Sequence, residues 1–276
     1  MKVGFLGPKG TFTEKACICY NKDAERIAYN TFFDALLGVE EGECDRCLAA
    51  VENSTEGTVN TTLDPMIFDR NLFIEKLIIL PIEQNILIKK GTDPSKIRKI
   101  VSHPQALAQC RIFTRDNFKD ACEVTVSSTA EAARLTAGSD GHIAAIASSL
   151  TAEIYDLDIL HKSVQDNNTN RTSFIAVTKE DTSEPKEGCI TTIAFSTKNE
   201  PGELYRILDI FSLWDINMTK ILSRPWRNKP GEYIFIADIE NNNIEDIKDA
   251  LVMVKRKTKF FKILGTYPIE DYTVGL

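Results

Sequence analysis

The 276-residue chain lacks any apolar run approaching the ~20 residues that a membrane helix needs. Its best candidate, Leu77 to Ile88, is interrupted by Pro81, Glu83 and Gln84, so no membrane span is expected. A Lys/Arg-rich block is also missing, and the formal charge is −7, which removes the electrostatic footprint of a nucleic-acid binder. The opening residues Met1-Lys2-Val3-Gly4-Phe5-Leu6 read as a strand rather than as a charged leader followed by an apolar segment and a cleavage site. Seven cysteines without a repeating pattern fit reduced thiols better than a disulfide framework. The expectation is a cytoplasmic chain.

Several chemical signatures are absent as well. The first turn, Gly7-x-x-Gly10, has neither the Gly-Lys-Ser/Thr ending of a P-loop nor the Gly-x-Gly-x-x-Gly of a dinucleotide fold. Cys44-x-x-Cys47 is half of a zinc pattern, with no second Cys or His pair at ligand spacing. Neither a metal nor a nucleotide is therefore expected. No Ser-His-Asp or Cys-His arrangement is legible around His103, His142 and His161.

What is present is ordinary globular material, 43% hydrophobic and 26% charged, in a length that suits one medium domain and one smaller one. Apolar runs at Val3–Leu6, Leu48–Val51, Ile100–Ser102, Val124–Ser127 and Ile143–Ala147 predict strands alternating with helices, the signature of α/β layers. A helix is predicted over Thr31–Glu41, with Gly42 as its stop. Apolar segments Leu72–Ile88 and Ile159–Val164 are placed to carry the chain twice between two lobes, about 1–76 plus 162–178 and about 80–160, with a cleft between them. Lys179 to Gly188 is charged, contains Pro and Gly and has no apolar period, which marks a linker between a domain of residues 1–179 and one of residues 189–270. Beyond it the pattern is strand 190–196, helix 202–214, strands 217–223 and 233–239, helix 244–254 and strand 260–267, a ferredoxin-like βαββαβ order.

Three turns of the first domain are rich in small polar residues: Gly7 to Thr13, Glu52 to Thr58, and Ser102 to Cys110. Backbone NH groups and hydroxyls at helix N-termini suit an anion such as a carboxylate, although capping alone is the ordinary use of Ser, Thr and Asn there. From the residues alone the reading stops at a cleft for a small anion.

These turns, taken in order with Gln165-Asp166-Asn167-Asn168-Thr169-Asn170-Arg171-Thr172-Ser173-Phe174, Asn199-Glu200-Pro201-Gly202-Glu203-Leu204-Tyr205 and Ser223-Arg224-Pro225, resemble the prephenate dehydratases over about the whole chain. The resemblance implies a two-lobed α/β catalytic domain like the type II periplasmic binding proteins, followed by an ACT regulatory domain. It further implies cofactor-free conversion of prephenate to phenylpyruvate, control by phenylalanine, and a homodimer or homotetramer. Carried over motif by motif, the catalytic candidates are Thr172, Glu56, Asn53, Ser102, His103 and Gln109. Substrate contacts are expected from Thr11, Thr13, Ser54, Asn170 and Arg171. Effector contacts are expected from Asn199, Pro201, Gly202, Glu203, Leu204, Tyr205, Ser223, Arg224 and Pro225. Thr172 is the first choice for the essential hydroxyl. Arogenate dehydratase and a non-catalytic amino-acid sensor are the competing readings.

Two departures from the family pattern stand out. Leu222 occupies a position where the family often has Glu before Ser-Arg-Pro. Ser173 stands where it usually has Arg after the threonine, while Arg171 appears two residues earlier. In an extended segment, positions 171 and 173 share a face about 6.6 Å apart. Arg171 is thus expected either to supply the missing charge or to be a solvated surface residue.

Overall fold

The structure, a computed structural model, describes residues 1–226, 229 and 231–273. The chain begins with β1 (Lys2–Leu6), α1 (Phe12–Tyr20), β2 (Glu25–Tyr29), α2 (Phe32–Glu41), β3 (Arg46–Asn53), β4 (Gly57–Thr58), α3 (Asn60–Phe68) and β5 (Phe73–Pro81). It continues through β6 (Asn85–Lys89), β7 (Lys99–Ser102), α4 (Pro104–Gln109), α5 (Arg111–Asn117), β8 (Cys122–Thr125), α6 (Thr129–Ala137), β9 (Ile143–Ala147), α7 (Ser149–Tyr155), β10 (Leu157–His161) and β11 (Arg171–Thr178). The last part comprises β12 (Ile190–Ser196), α8 (Glu203–Leu213), β13 (Met218–Pro225), β14 (Tyr233–Glu240), α9 (Ile244–Lys257), β15 (Phe261–Tyr267) and β16 (Ile269–Asp271).

Local chemistry accounts for the helix ends. Thr11 and Thr31 cap α1 and α2 by accepting the amide hydrogens of Glu14 and Asp34, and Gly42 closes α2 at φ 81°, where only glycine is at ease. In α9, Glu245 and Asp246 lie in the first turn and Lys255, Arg256 and Lys257 in the last, the charge order that the helix dipole favours.

Three sheets result. The first has the order β16-β5-β11-β3-β1-β2, with β4 attached to β3; the second is β10-β6-β9-β7-β8; the third is β13-β14-β12-β15. The chain passes between the first two sheets at residues 82–84 and again at 162–170, and the two passages are pinned together. Val164 N donates to Gln84 O at 2.8 Å, and Ile82 N to Asn170 O at 2.9 Å. The third sheet has the ferredoxin-like order, with helices α8 and α9 on one face over Ile193, Phe195, Ala237 and Ile239. Its other face presents Ile190, Ala194, Ile234, Ile236 and Leu264 to Leu63, Met66, Ile74, Ile175 and Val177 of the first layer, so one core spans both parts of the chain.

Strands β2 and β4 are not expected from the sequence, and two features at sheet edges differ as well. The strand expected at Val124–Ser127 lies two residues earlier, because β8 is a wholly exposed edge strand in which no burial pattern marks the register. In addition, β16 returns to pair in parallel with β5. Its three residues are too few for any periodicity to show.

Thiol chemistry follows from burial. Cys17, Cys44, Cys47 and Cys110 are buried, Cys122 is exposed, and burial pushes the thiol of Cys110 up to about 12 and those of Cys17, Cys44 and Cys47 upward as well. Groups that resist becoming thiolates are poor zinc ligands and poor nucleophiles. In the folded protein near pH 8, a maleimide should label Cys122 while Cys17, Cys44, Cys47 and Cys110 remain unlabelled by mass spectrometry.

The third sheet lies close against the first at Gly265 (φ 152°), where an added Cβ would sit 2.3 Å from Ile74 O. Backbone cannot yield there as a flexible side chain would. Gly265→Ala should cost at least about 2 kcal/mol and lower Tm by roughly 4–8 °C in a thermal melt.

Candidate active site in the cleft

Between the first two sheets lies a cavity of about 270 Å³. Its centre is built on one pair of neighbouring strands. Asn53 at the end of β3 and Thr172 near the start of β11 are cross-strand partners, each about 8% exposed, and both line the cavity. The amides of Thr55 and Glu56 donate to Asn53 Oδ1 at 2.9 and 3.1 Å, so the turn after β3 fixes which end of the carboxamide is which. Asn53 Nδ2 is thereby aimed at Thr172 Oγ1, to which it donates at 2.8 Å. Thr172 accepts that bond and keeps its own hydroxyl hydrogen free to donate.

The surroundings of this pair mix apolar side chains such as Phe12, Val59, Ile82 and Phe174 with polar ones, and Glu56 on the rim is the one carboxylate among the described residues of the lining. Thr11 and Thr13 reach the cavity from the N-terminus of α1, and His103 and Gln109 from either end of α4. His103 Nδ1 accepts the Gln105 amide hydrogen at 3.3 Å, which leaves Nε2–H as its remaining donor. No Lys or Arg lines the cavity among the described residues. An anion held here would be met by hydroxyls, amides and helix N-termini. At the mouth, Gly10 O accepts from Ser148 Oγ at 3.2 Å and from Thr151 Oγ1 at 2.8 Å, tying the two sheets' loops to each other.

Not every residue expected in the cleft lines it. Ser102 is fully buried, and its hydroxyl donates to Ile146 O at 2.6 Å, joining β7 to β9. Ser54 and Asn170 form a brace beside the pair: Asn170 Oδ1 accepts from Asn53 Nδ2 at 3.2 Å and from Ser54 Oγ at 3.3 Å. The Glu52–Thr58 turn does not cap a helix, since α3 starts at Asn60 and its N-cap position, Val59, offers no side-chain cap. Arg171 is exposed and outside the cavity, because Thr172 and Phe174 take the inward positions of β11. Its neighbour on the alternate face, Ser173, lines a separate cavity of about 70 Å³ between the first and third sheets.

Sequence reasoning missed Gln84, Ser127, Ser128 and Thr129, all of which line the cleft. Ser128 caps α6 by accepting the Glu131 amide hydrogen at 3.0 Å, which brings a further helix N-terminus to the site. The signal was there: Ser127-Ser128-Thr129 ahead of an alanine-rich helix is the same kind of polar turn as the other three, hidden by reading Val124–Ser127 as a strand. Gln84 gave no comparable signal.

The third sheet carries a cavity of about 400 Å³ lined by Asn199, Gly202, Glu203, Leu204 and Tyr205, together with Tyr233 and Phe235. Pro201, Ser223, Arg224 and Pro225 are not in its lining. Arg224 reaches the other way, donating to both carboxylate oxygens of Asp64 on α3 at 2.8 and 2.9 Å. Leu222 also faces the first sheet, lining the small cavity beside Leu63 and Ile74.

Comparison with known proteins gives this geometry a family. Residues 3–182 match the prephenate dehydratase family. A prephenate dehydratase of Lactococcus lactis is 37% identical across all of this chain and 99% of its own length. Among solved structures, the prephenate dehydratase of Arthrobacter aurescens in complex with L-Phe superposes with a TM-score of 0.88 at 32% identity, covering 97% of this chain and 90% of that one. GqqA, described as a novel type of quorum-quenching acylase, gives the same TM-score at 27% identity, covering 98% of each chain. With the family match spanning most of the chain and the Lactococcus relative aligning from end to end, the chain belongs to the prephenate dehydratase family.

Proposed function

We propose that the chain converts prephenate to phenylpyruvate in the cleft between the first two sheets. The observation that carries this reading is the Asn53 Nδ2 to Thr172 Oγ1 bond at 2.8 Å inside a cavity lined by uncharged donors. Prephenate brings two carboxylates and a ring hydroxyl. In the reaction the bond from the ring to one carboxylate breaks, its electron pair enters the ring, and the hydroxyl departs with an added proton as water. Carbon dioxide and phenylpyruvate remain, and aromatisation drives the change.

The enzyme must hold a dianion and assist the leaving oxygen. Thr11, Thr13, Ser128 and Thr129 at the starts of α1 and α6 are placed to receive the carboxylates. A threonine hydroxyl is a poor acid, so Thr172 donates a hydrogen bond to the departing oxygen, with Glu56 on the rim as the candidate proton source. Ser54 and Asn170 brace the pair.

We read residues 1–179 as the catalytic domain and 189–270 as an ACT domain that senses phenylalanine, in a homodimer or homotetramer. The support is the L-Phe complex of the Arthrobacter relative and the cavity at the N-terminus of α8, where free backbone NH groups suit a carboxylate.

Three outcomes test these readings. Thr172→Val should lower kcat for prephenate by at least ~10²-fold in a phenylpyruvate-formation assay, with folding intact; near-parental turnover would remove Thr172 from the chemistry. The same assay with arogenate separates the two substrates. Arg171→Ala should leave KM for prephenate within about twofold, since the side chain lies outside the cleft, whereas loss of a charge-assisted contact would move it about tenfold or more. Phenylalanine should inhibit the full chain, and Gly202→Asp, which sets a carboxylate in the α8 cavity, should raise the inhibitory concentration at least about tenfold, and by clearly more than Gly202→Asn, which imposes the same strain at φ 81° without the charge. An unchanged inhibitory concentration would place the sensor elsewhere.

A further inference from the structure

The strand pair that carries Asn53 and Thr172 toward the cleft carries Glu52 and Ser173 on its opposite face, again as cross-strand partners. That face looks onto the third sheet. There, Lys220 of β13 and Asp238 of β14 are cross-strand partners in their turn, and all four residues line the same small cavity. Lys220 Nζ forms an ion pair with Glu52 Oε2 across the seam. On the other side, Thr192 Oγ1 donates to Asp238 Oδ1 at 2.6 Å and also contacts the Tyr267 hydroxyl. The seam thus has two carboxylates, Glu52 and Asp238, with one ammonium beside them.

Electrostatics make that ammonium the member the seam cannot lose. Burial pushes the Asp238 carboxyl above the ordinary carboxylate range; the Thr192 hydrogen bond and the Lys220 charge pull it down, and Glu52 pushes it up. Without Lys220 the Glu52 carboxylate loses its ion-pair partner while Asp238 stays held by Thr192, so Glu52, with its partly exposed side chain, is the acid free to turn out of the seam. Glu52 is covalently next to Asn53, so its displacement is felt at the bond to Thr172.

We propose that Lys220 is a positioning residue for the dehydratase site, holding the Asn53–Thr172 pair in register from the opposite face of the strands through Glu52. The inference deepens the functional reading above and rests on it. It also gives a physical account of Ser173. A small residue there leaves space in the seam, and the cation that pairs with Glu52 comes from the third sheet rather than from β11. In this chain, therefore, the sheet that carries the α8 cavity has a charged hold on the strand that carries Asn53.

The test uses the full chain and moves the charge from one sheet to the other. Lys220→Ala should lower kcat for prephenate about tenfold with KM within about twofold, and should weaken amide-exchange protection of residues 171–174. Lys220→Arg should keep both near the parent. Lys220→Ala/Ser173→Arg, which puts a guanidinium beside Glu52 from β11, should bring kcat back to within about threefold of the parent. Parental kcat and protection in Lys220→Ala would overturn the proposal, and so would a loss that Ser173→Arg fails to recover, since the defect would then lie in sheet packing and not in charge at Glu52. A parent chain that forms no phenylpyruvate would instead refute the prephenate reading, and the exchange measurement would still decide whether Lys220 holds the strand.

Discussion

The structure depends on the pairing of β3 with β11, two strands more than a hundred residues apart in sequence. Because alternate side chains of a strand point to opposite faces, one register delivers Asn53 and Thr172 to the cleft and Glu52 and Ser173 to the seam with the third sheet. A slip of one residue would exchange those sets and destroy both sites. The register is held from several directions at once: Asn53 bonds Thr172, the Ser54 amide donates to Arg171 O at 2.9 Å, the Arg171 amide donates to Ser54 Oγ at 3.0 Å, and β5 pairs along the other edge of β11.

Around this wall the cleft and the seam have contrasting chemistry. The polar groups lining the cleft are mostly hydroxyls, carboxamides and helix N-termini, donors of the kind that suit an anion. The seam is closed by charge and apolar contact, with Lys220 on Glu52, Arg224 on Asp64, Lys262 on the Met66 and Arg70 carbonyls, and a continuous core from Ile175 to Ile236. Arg224 belongs to the Ser-Arg-Pro motif, so a segment expected to serve the effector also grips α3 of the first layer.

Much of this was legible in the sequence. The ferredoxin-like order was readable because each of its strands and helices keeps its own period, and β12 lies at the expected residues 190–196. The polar turns drew attention to the segments holding Thr11, Asn53 and His103, while Thr172 came from the resemblance to the prephenate dehydratases; all four line the cleft. What could not be read is what needs three dimensions. The burial of Ser102, the brace formed by Ser54 and Asn170, and the seam between Glu52 and Lys220 join residues far apart in sequence, and nothing local in the chain records such pairings. Of the Arg171 alternatives, strand parity favours the solvated one, since β11 turns Thr172 and Phe174 inward. Only the start of β11 fixes which residue takes which face.

The account's central claim is that Asn53 acts by holding Thr172, so that the two are one unit in catalysis. A double-mutant cycle on kcat for prephenate tests it most directly, using Asn53→Ala, Thr172→Val and their combination, each checked for folding. The account predicts strongly non-additive losses, with the double variant within about threefold of Thr172→Val alone. Independent losses that multiply in the double variant would contradict it.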